Sequence, residues 1–207
     1  MYHTETEQIE HIKKWFQRHG KLIISVVLIV LMVVLGYRVW INREIKAESQ
    51  ASMRYERLML GVANQDSGLV NAQANDLIEH YPKTIYAQAA LLMQAKLALE
   101  YGDNARALEK LNQVMTKSSD SAFRQIARLR SARILESEGE YQKALSILKT
   151  VDNSAYLPLI EEVKGDLYLG LMQPKTARDY YQKAMEAFPK AGLYSPLLEM
   201  KLNELAG

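Results

Sequence analysis

The chain has 207 residues, of which 26 are Lys or Arg, 24 are Asp or Glu and none is Cys. Without cysteine it can form no disulfide, no thiolate metal site and no cysteine nucleophile. Six of the basic and four of the acidic residues lie in positions 1–45, so the rest of the chain is electrically balanced. This balance argues against a nucleic-acid-binding surface.

Residues 1–20 are predicted to be a polar tail with a short amphipathic helix. Thr4 and Glu7 fit a capping box, and Ile9, Ile12 and Phe16 fall on one helical stripe before Gly20 interrupts the pattern. The tail helix is expected to lie on the membrane surface. It would either position the anchor or dock another protein.

Residues 21–43 contain the only stretch of the sequence that is long and apolar enough to cross a bilayer. Leu22 to Ile41 is almost wholly apolar, and at about 1.5 Å of helical rise per residue it matches a hydrocarbon core of ~30 Å. Arg38 lies one turn from the end, where its side chain can snorkel to the headgroups. A cleavable signal peptide is the alternative, but its apolar region usually spans only about 7 to 15 residues.

The orientation of the span does not follow from counting charges, because Lys and Arg are nearly equal in number on its two sides. Large domains cross membranes largely regardless of charge. An anchor that follows a short basic tail favours a cytoplasmic tail and a domain on the other side.

Residues 44–207 are predicted to form an all-α domain, since apolar residues recur at intervals of three and four residues. No run of alternating β-branched residues occurs. Three similar segments each join two predicted helices, and their alanines are 37 and 33 residues apart. That spacing is typical of a repeated helix hairpin. The segments are residues 102–108, 139–145 and 173–177, with the alanines at Ala107, Ala144 and Ala177.

The last unit resembles the tetratricopeptide repeat, a helix hairpin of 34 residues. Gly165 and Ala177 would let the paired helices approach, and Tyr168 and Tyr181 would fill the space between them. Pro189 would end the second helix.

The other units are more divergent. The two units before the last replace the aromatic residues with Ala98, Leu111, Leu135 and Leu148. A divergent first hairpin is predicted at residues 44–82, and residues 194–205 should form a C-terminal capping helix that covers the last repeat. The predicted architecture is a transmembrane helix followed by a tetratricopeptide-like solenoid of about three and a half units.

Tetratricopeptide stacks bind ligands along a concave face made by the first helices of successive hairpins. The repeat register predicts a partner-binding surface there that mixes apolar and charged side chains. Its predicted members are Leu92, Lys96, Leu99, Leu129, Arg133, Glu136, Leu159, Glu162, Asp166 and Leu169. The alternative is that the leucines belong to the hairpin core and the charges are solvated.

No motif in the sequence indicates catalysis, a cofactor or a metal site. His80 is the only histidine of the predicted domain and is expected near a helix end. Glu161, Glu162 and Asp166 form an acidic cluster that is expected to be a solvated helix face. The chain is therefore predicted to be a binding protein and not an enzyme.

The parts of the chain follow one another in a recognisable order: residues 12–16, Gly20 and Lys21, a span that ends with residues 36–40, and degenerate tetratricopeptide units. This order resembles the ancillary SecYEG translocon subunit family of Gram-negative bacteria. The resemblance implies a non-catalytic inner-membrane adaptor with a cytoplasmic tail and a periplasmic domain. The implied partners are the SecYEG translocon and the periplasmic chaperone PpiD, and translocated client proteins could join them. The alternative function is a cell-envelope scaffold that clusters assembly or division factors.

Overall fold

The computed structural model describes residues 5–189, 192 and 194–205. It divides the chain into two compact units, Met1–Ser49 and Gln50–Gly207. In the described residues every regular element is helical, which confirms the predicted all-α fold.

The described part of the first unit, residues 5–49, belongs to helix α1, which runs from Glu5 to Ala63. This helix contains an 18-residue window of mean hydropathy 2.7, none of which is buried. The core helix of a soluble protein would be covered by neighbours, so this exposed apolar helix fits a membrane anchor. The Ser25 hydroxyl donates to the Lys21 carbonyl at 2.8 Å, so its hydrogen bond is satisfied within the helix.

Helix α1 passes through Gly20 without interruption, so the predicted break between the tail helix and the span is wrong. One glycine costs a helix only about 1 kcal/mol relative to alanine. Breaking the helix would leave backbone groups unpaired beside an apolar run, which costs more. Thr4 and the side chains of Ile9, Ile12 and Phe16 lie outside the described residues, so the amphipathic stripe stays a prediction.

The second unit is a stack of four helix hairpins in the described part of the chain, closed by one further helix. The hairpins pair the end of α1 with α2 (Ser67–His80), α3 (Ile85–Glu100) with α4 (Asn104–Lys117), α5 (Ser121–Ser137) with α6 (Tyr141–Ile147), and α7 (Leu157–Gly170) with α8 (Pro174–Ala187); α9 is Pro196–Glu204. The first hairpin is complete, because Leu58 on α1 and Val70 and Leu77 on α2 share one buried cluster. The predicted count of three and a half units is therefore too low.

The same left-handed turn closes all four hairpins. One residue with positive φ occupies the same place in each: Gln65 (56°), Gly102 (75°), Gly139 (76°) and Met172 (59°). The amide of the following residue donates to a carbonyl five positions earlier, at 2.8 to 2.9 Å. This is the Schellman pattern that ends helices, and it confirms the three predicted junctions.

Small residues let the paired helices approach. Ala107, Ala144 and Ala177 are fully buried, as the repeat pattern predicts. In the fourth hairpin a Cβ atom at Gly165 would lie 2.3 Å from the Tyr181 ring, so this ring fills the space that the glycine leaves. Tyr181 is 1% exposed.

Tyr168 fills the predicted space between α7 and α8 only in part, because it packs at the edge of the buried cluster that contains Ala177 and Tyr181. Its side chain is only partly buried and stacks on Tyr180, with 5.0 Å between the ring centroids. The residues that replace the aromatic ones in the two units before the last are confirmed as core residues, because all four are buried: Ala98, Leu111, Leu135 and Leu148. The capping helix is confirmed as well, since Leu198 of α9 is fully buried against Tyr181 and Phe188.

Candidate partner-binding site

A pocket of about 450 Å³ opens between the first helices of the second, third and fourth hairpins. We call it the leucine pocket. It is lined by Leu99 of α3, by Leu129, Arg130, Arg133, Ile134 and Ser137 of α5, and by Leu159, Glu162 and Val163 of α7. Its volume lies in the range of roughly 300 to 1,000 Å³ that is usual for binding pockets.

Helix α5 packs on the helices at both sides of this pocket. Ala127 lies in the core that α5 shares with α3 and α4, and Ala132 lies in the core that it shares with α6 and α7. Two of the leucines that line the pocket stay open to solvent, since Leu99 is 38% exposed and Leu159 is 36% exposed. These leucines are available for contact with another molecule.

A network of charged residues lies beside the pocket, and we call it the charged wall: Arg133, Glu136, Glu162, Asp166 and Lys201. The Arg133 guanidinium donates to Asp166 at 2.6 Å and to Glu136 at 3.0 Å. The Lys201 ammonium of the capping helix donates to Glu162 at 2.8 Å and to Asp166 at 2.8 Å. The wall therefore connects α5, α7 and α9.

The wall fixes the protonation of its basic members and of Tyr181. Burial alone would lower the pKa of Arg133 and of Lys201, but their bonds to carboxylates outweigh it and raise both pKa values. Burial raises the pKa of Tyr181, and so does the bond that its hydroxyl donates to Asp166 at 2.7 Å. Arg133 and Lys201 are thus charged and Tyr181 is neutral at neutral pH.

Five of the ten predicted surface residues line the leucine pocket: Leu99, Leu129, Arg133, Leu159 and Glu162. Two more, Glu136 and Asp166, belong to the charged wall through their bonds to Arg133. Their place beside a pocket on the first helices agrees with the repeat register.

The other three predicted residues lie elsewhere. Leu92 is 8% exposed and packs in the core of the second hairpin. Lys96 lines a separate cavity between the first hairpin and α3, and it pairs with Glu100 at 3.5 Å. Leu169 is exposed on α7 but does not line the pocket.

Sequence reasoning missed Lys201 and four residues that line the pocket: Arg130, Ile134, Ser137 and Val163. Each of the four lining residues directly follows a predicted one, so a wider helical stripe on α5 and α7 would have included them. Lys201 carries no such signal, because the repeat register does not extend to the capping helix.

The predicted solvated acidic face on α7 is wrong. Glu161 and Glu162 are buried, at 8% and 7% exposure, and the Asp166 side chain is 10% exposed. Each is paired with a basic residue, since Glu161 accepts from Lys164 at 2.8 Å and the other two accept from Lys201. His80 is the last residue of α2, as predicted, and its Nδ1 lies 3.0 Å from Asp76.

Comparisons with known proteins agree with this architecture. The family model described as a tetratricopeptide repeat-like domain matches residues 13–207. A protein of Aggregatibacter actinomycetemcomitans named "Ancillary SecYEG translocon subunit" is 32% identical over 97% of both chains. Proteins of the same name from Haemophilus influenzae and Escherichia coli K12 are 29% and 22% identical. They cover 97% and 100% of this chain, which spans 97% and 98% of their lengths. No solved structure matches the chain.

Proposed function

This chain belongs to the ancillary SecYEG translocon subunit family, and we propose that it is a non-catalytic, membrane-anchored adaptor whose repeat domain binds other proteins at the translocon. In this proposal residues 1–20 are a cytoplasmic tail, residues 21–43 cross the inner membrane once, and residues 44–207 lie in the periplasm. The proposed partners are the SecYEG translocon and the periplasmic chaperone PpiD. Translocated proteins are the proposed clients.

The leucine pocket is the observation that carries this proposal. Its leucines lie on the first helices of three successive hairpins, and Leu99 and Leu159 are exposed while Leu129 is half-buried. Repeat proteins bind segments of other chains on this surface. Exposed apolar surface rimmed by polar residues is typical of a protein interaction site. The exposed apolar part of α1 supports the anchor that would hold this domain at a membrane translocon.

The chemistry beside the pocket supports binding and not catalysis. A general acid or base needs a pKa near the working pH and an open path to the substrate. In the charged wall, Arg133 and Lys201 have raised pKa values and are bonded to carboxylates. These groups hold helices together and are not poised to exchange protons.

Photocrosslinking in the membrane tests the adaptor function. A photoreactive residue is placed at Leu99, Leu129 or Leu159 of the full chain in a Gram-negative host. Asn112 on α4 and Gln182 on α8 are matched controls, because both are exposed on second helices and do not line the pocket. We expect the pocket positions to crosslink a translocon component, the chaperone or a translocating chain, and the control positions to crosslink much less.

Two results would contradict the proposal. Equal crosslinking from pocket and control positions would remove the pocket as the binding surface. Crosslinks to assembly or division factors, without any translocon component or translocating chain, would favour the envelope scaffold.

Single cysteines test the orientation, and the chain offers no background because it has no cysteine of its own. Lys13→Cys reports on the tail and Gln182→Cys on the domain, since both positions are exposed. A membrane-impermeant maleimide added to intact spheroplasts should label position 182 at once and position 13 only after lysis. The opposite pattern would place the domain in the cytoplasm.

A further inference from the structure

We propose that the leucine pocket selects an apolar segment of another protein that carries a carboxylate beside its apolar anchors, and that Arg130 binds this carboxylate. The inference rests on the proposed function, because it names the chemistry of the segment that the adaptor would hold. It adds a specificity-determining residue that the repeat register does not predict.

Two of the charged residues that line the pocket are already bonded within the protein. Arg133 is bonded to Asp166 and Glu136, and Glu162 is bonded to Lys201. Both residues are thus held within the charged wall. A partner that competed for them would have to break bonds of 2.6 to 3.0 Å that link α5, α7 and α9.

Arg130 differs from these residues. It lines the pocket, its side chain is exposed, and it forms no ion pair with any residue that the structure describes. A guanidinium has five donors in a planar fork that matches a carboxylate, and such bidentate pairs are both strong and directional. Arg130 is therefore the cation of the pocket lining that is available to a carboxylate.

The charge of the wall restricts where that carboxylate can lie. The wall contains three acidic and two basic residues, Glu136, Glu162 and Asp166 against Arg133 and Lys201, so it has one excess negative charge. A carboxylate near Glu162 would be repelled, whereas one near Arg130 would be attracted. The partner segment should therefore lie with its acidic residue at Arg130 and a neutral or basic residue beside Glu162.

The apolar lining supplies the rest of the recognition. Leu99, Leu129, Ile134, Leu159 and Val163 surround the space of about 450 Å³. A helical segment presents apolar anchors at i, i+3 or i+4 to such a surface, and charges at the rim set its direction. The predicted partner motif is two or three aliphatic residues on one helical face with a Glu or Asp next to them.

Peptide binding to the full chain in lipid nanodiscs tests the inference. The probes are three fluorescent helical peptides with identical leucine anchors and Glu, Gln or Lys at the flanking position. We expect the Glu peptide to bind about tenfold more tightly than the Gln peptide, the factor that one good charge-assisted bond provides. The Lys peptide should bind no better than the Gln peptide.

Substitutions of Arg130 separate its charge from the fold. Arg130→Gln should remove the preference for Glu, and Arg130→Glu should reverse it in favour of Lys. Arg178→Gln is the matched control, because Arg178 is exposed on α8, forms no ion pair in the described part of the chain and lies away from the pocket. Arg133 is unsuitable for this purpose, since reversing its charge would set it against Asp166.

Three results would overturn the inference: equal binding of the three peptides, a Glu preference that persists in Arg130→Gln, or no binding of any peptide. Each of these leaves the adaptor function intact if the pocket positions still crosslink translocon partners in cells. Loss of those crosslinks from the unaltered chain would instead contradict the proposed function itself.

Discussion

The third and fourth hairpins have the same turn and the same buried alanine, yet different contacts hold their helices together. In the fourth hairpin α8 has 14 residues, and its Tyr181 ring fills the space at Gly165 of α7. In the third hairpin α6 ends after seven residues at Ile147. A helix of two turns covers much less of its partner than one of four turns.

An ion-paired loop replaces the missing half of α6. The Asp152 carboxylate accepts from Arg124 at 3.0 Å and from Arg128 at 2.5 Å, both on α5. The Asp152 amide donates to the Gln125 side chain at 2.8 Å. The loop thus lies on the surface of α5 that a longer second helix would otherwise cover.

A repeat can therefore keep its turn and its buried alanine while ion pairs replace part of the apolar contact made by a longer helix. An aromatic ring in an apolar space contributes through burial, which does not depend on pH. An ion pair contributes only while its carboxylate is charged. The Tyr181 ring and the Asp152 ion pairs should therefore respond differently to truncation and to pH.

Tyr181→Ala should have the largest effect, a loss of about 3 to 5 kcal/mol, because it empties a fully buried aromatic site. Tyr168→Ala in the same hairpin should cost only about 1 to 2 kcal/mol, since this ring is only partly buried at the edge of the same cluster and stacks on Tyr180. The measurement is urea unfolding of the full chain in detergent, followed by far-ultraviolet circular dichroism, with the micelle-bound span as a constant background.

Tyr181→Phe is the matched control for the ring. It keeps the aromatic volume and removes only the bond to Asp166, so it should cost about 1 to 2 kcal/mol. Equal losses for Tyr181→Ala and Tyr168→Ala would show that the space at Gly165 is not what holds the fourth hairpin together.

Asp152→Asn should destabilise the third hairpin by about 1.5 to 3 kcal/mol at pH 7. It removes the negative charge that Arg124 and Arg128 share and turns one of the two acceptor oxygens into an amide donor. Burial alone would raise the pKa of Asp152, but the bonds from Arg128 and Arg124 outweigh it and lower this pKa. A carboxyl with a lowered pKa stabilises the fold above its unfolded pKa of about 3.9 and loses that contribution as the pH falls through its folded pKa.

The difference in the free energy of unfolding between the native chain and Asp152→Asn should therefore have its maximum value at pH 7. It should decrease as the pH falls below about 4. Asp179→Asn is the control, since Asp179 is exposed on α8 and forms no ion pair in the described part of the chain. Urea titrations at pH 7, 5 and 3 measure both variants. A difference for Asp152→Asn that stays constant with pH would mean that the charge of this residue does not stabilise the loop.

The sequence predicts the parts of the fold that the backbone and the repeat require. The turn at Gly102, the buried Ala107 and the contact of Gly165 with Tyr181 all follow from spacing, because only small residues fit where two helices touch. The continuity of α1 through Gly20 could not be predicted in the same way. A local helix-breaking signal was outweighed there by the hydrogen bonds of the flanking helix.

The binding site is less predictable, since it depends on contacts between units. The register places Leu99, Leu129 and Leu159 at the pocket, but it cannot show that Arg133 is already paired with Asp166. In sequence, the acidic residues of α7 resemble a solvated helix face. In the structure, Lys201 of the capping helix, 35 positions after Asp166, donates to the Asp166 carboxylate. Pairing across such a distance follows from the stack and not from any local pattern.

Met172→Gly should have the smallest effect and the opposite sign, because it relieves strain in the turn of the fourth hairpin. Met172 has φ of 59°, where the third hairpin has Gly139 at 76°. A side chain in this left-handed region costs about 1 to 2 kcal/mol, and the greater unfolded-state entropy of glycine offsets part of the gain. We expect a net stabilisation of roughly 0.5 to 1 kcal/mol in the same urea titration.

Met172→Ala should change the free energy of unfolding little, since Met172 is 86% exposed and alanine keeps the Cβ atom. Gly139→Ala is the reverse of Met172→Gly, because it places a Cβ atom in the left-handed region. It should destabilise the third hairpin by about 1 kcal/mol or more. If Met172→Gly did not change the free energy of unfolding while Gly139→Ala lowered it, the two turns would differ in backbone strain. The two hairpins would then share the hydrogen bonds of the turn but not its strain.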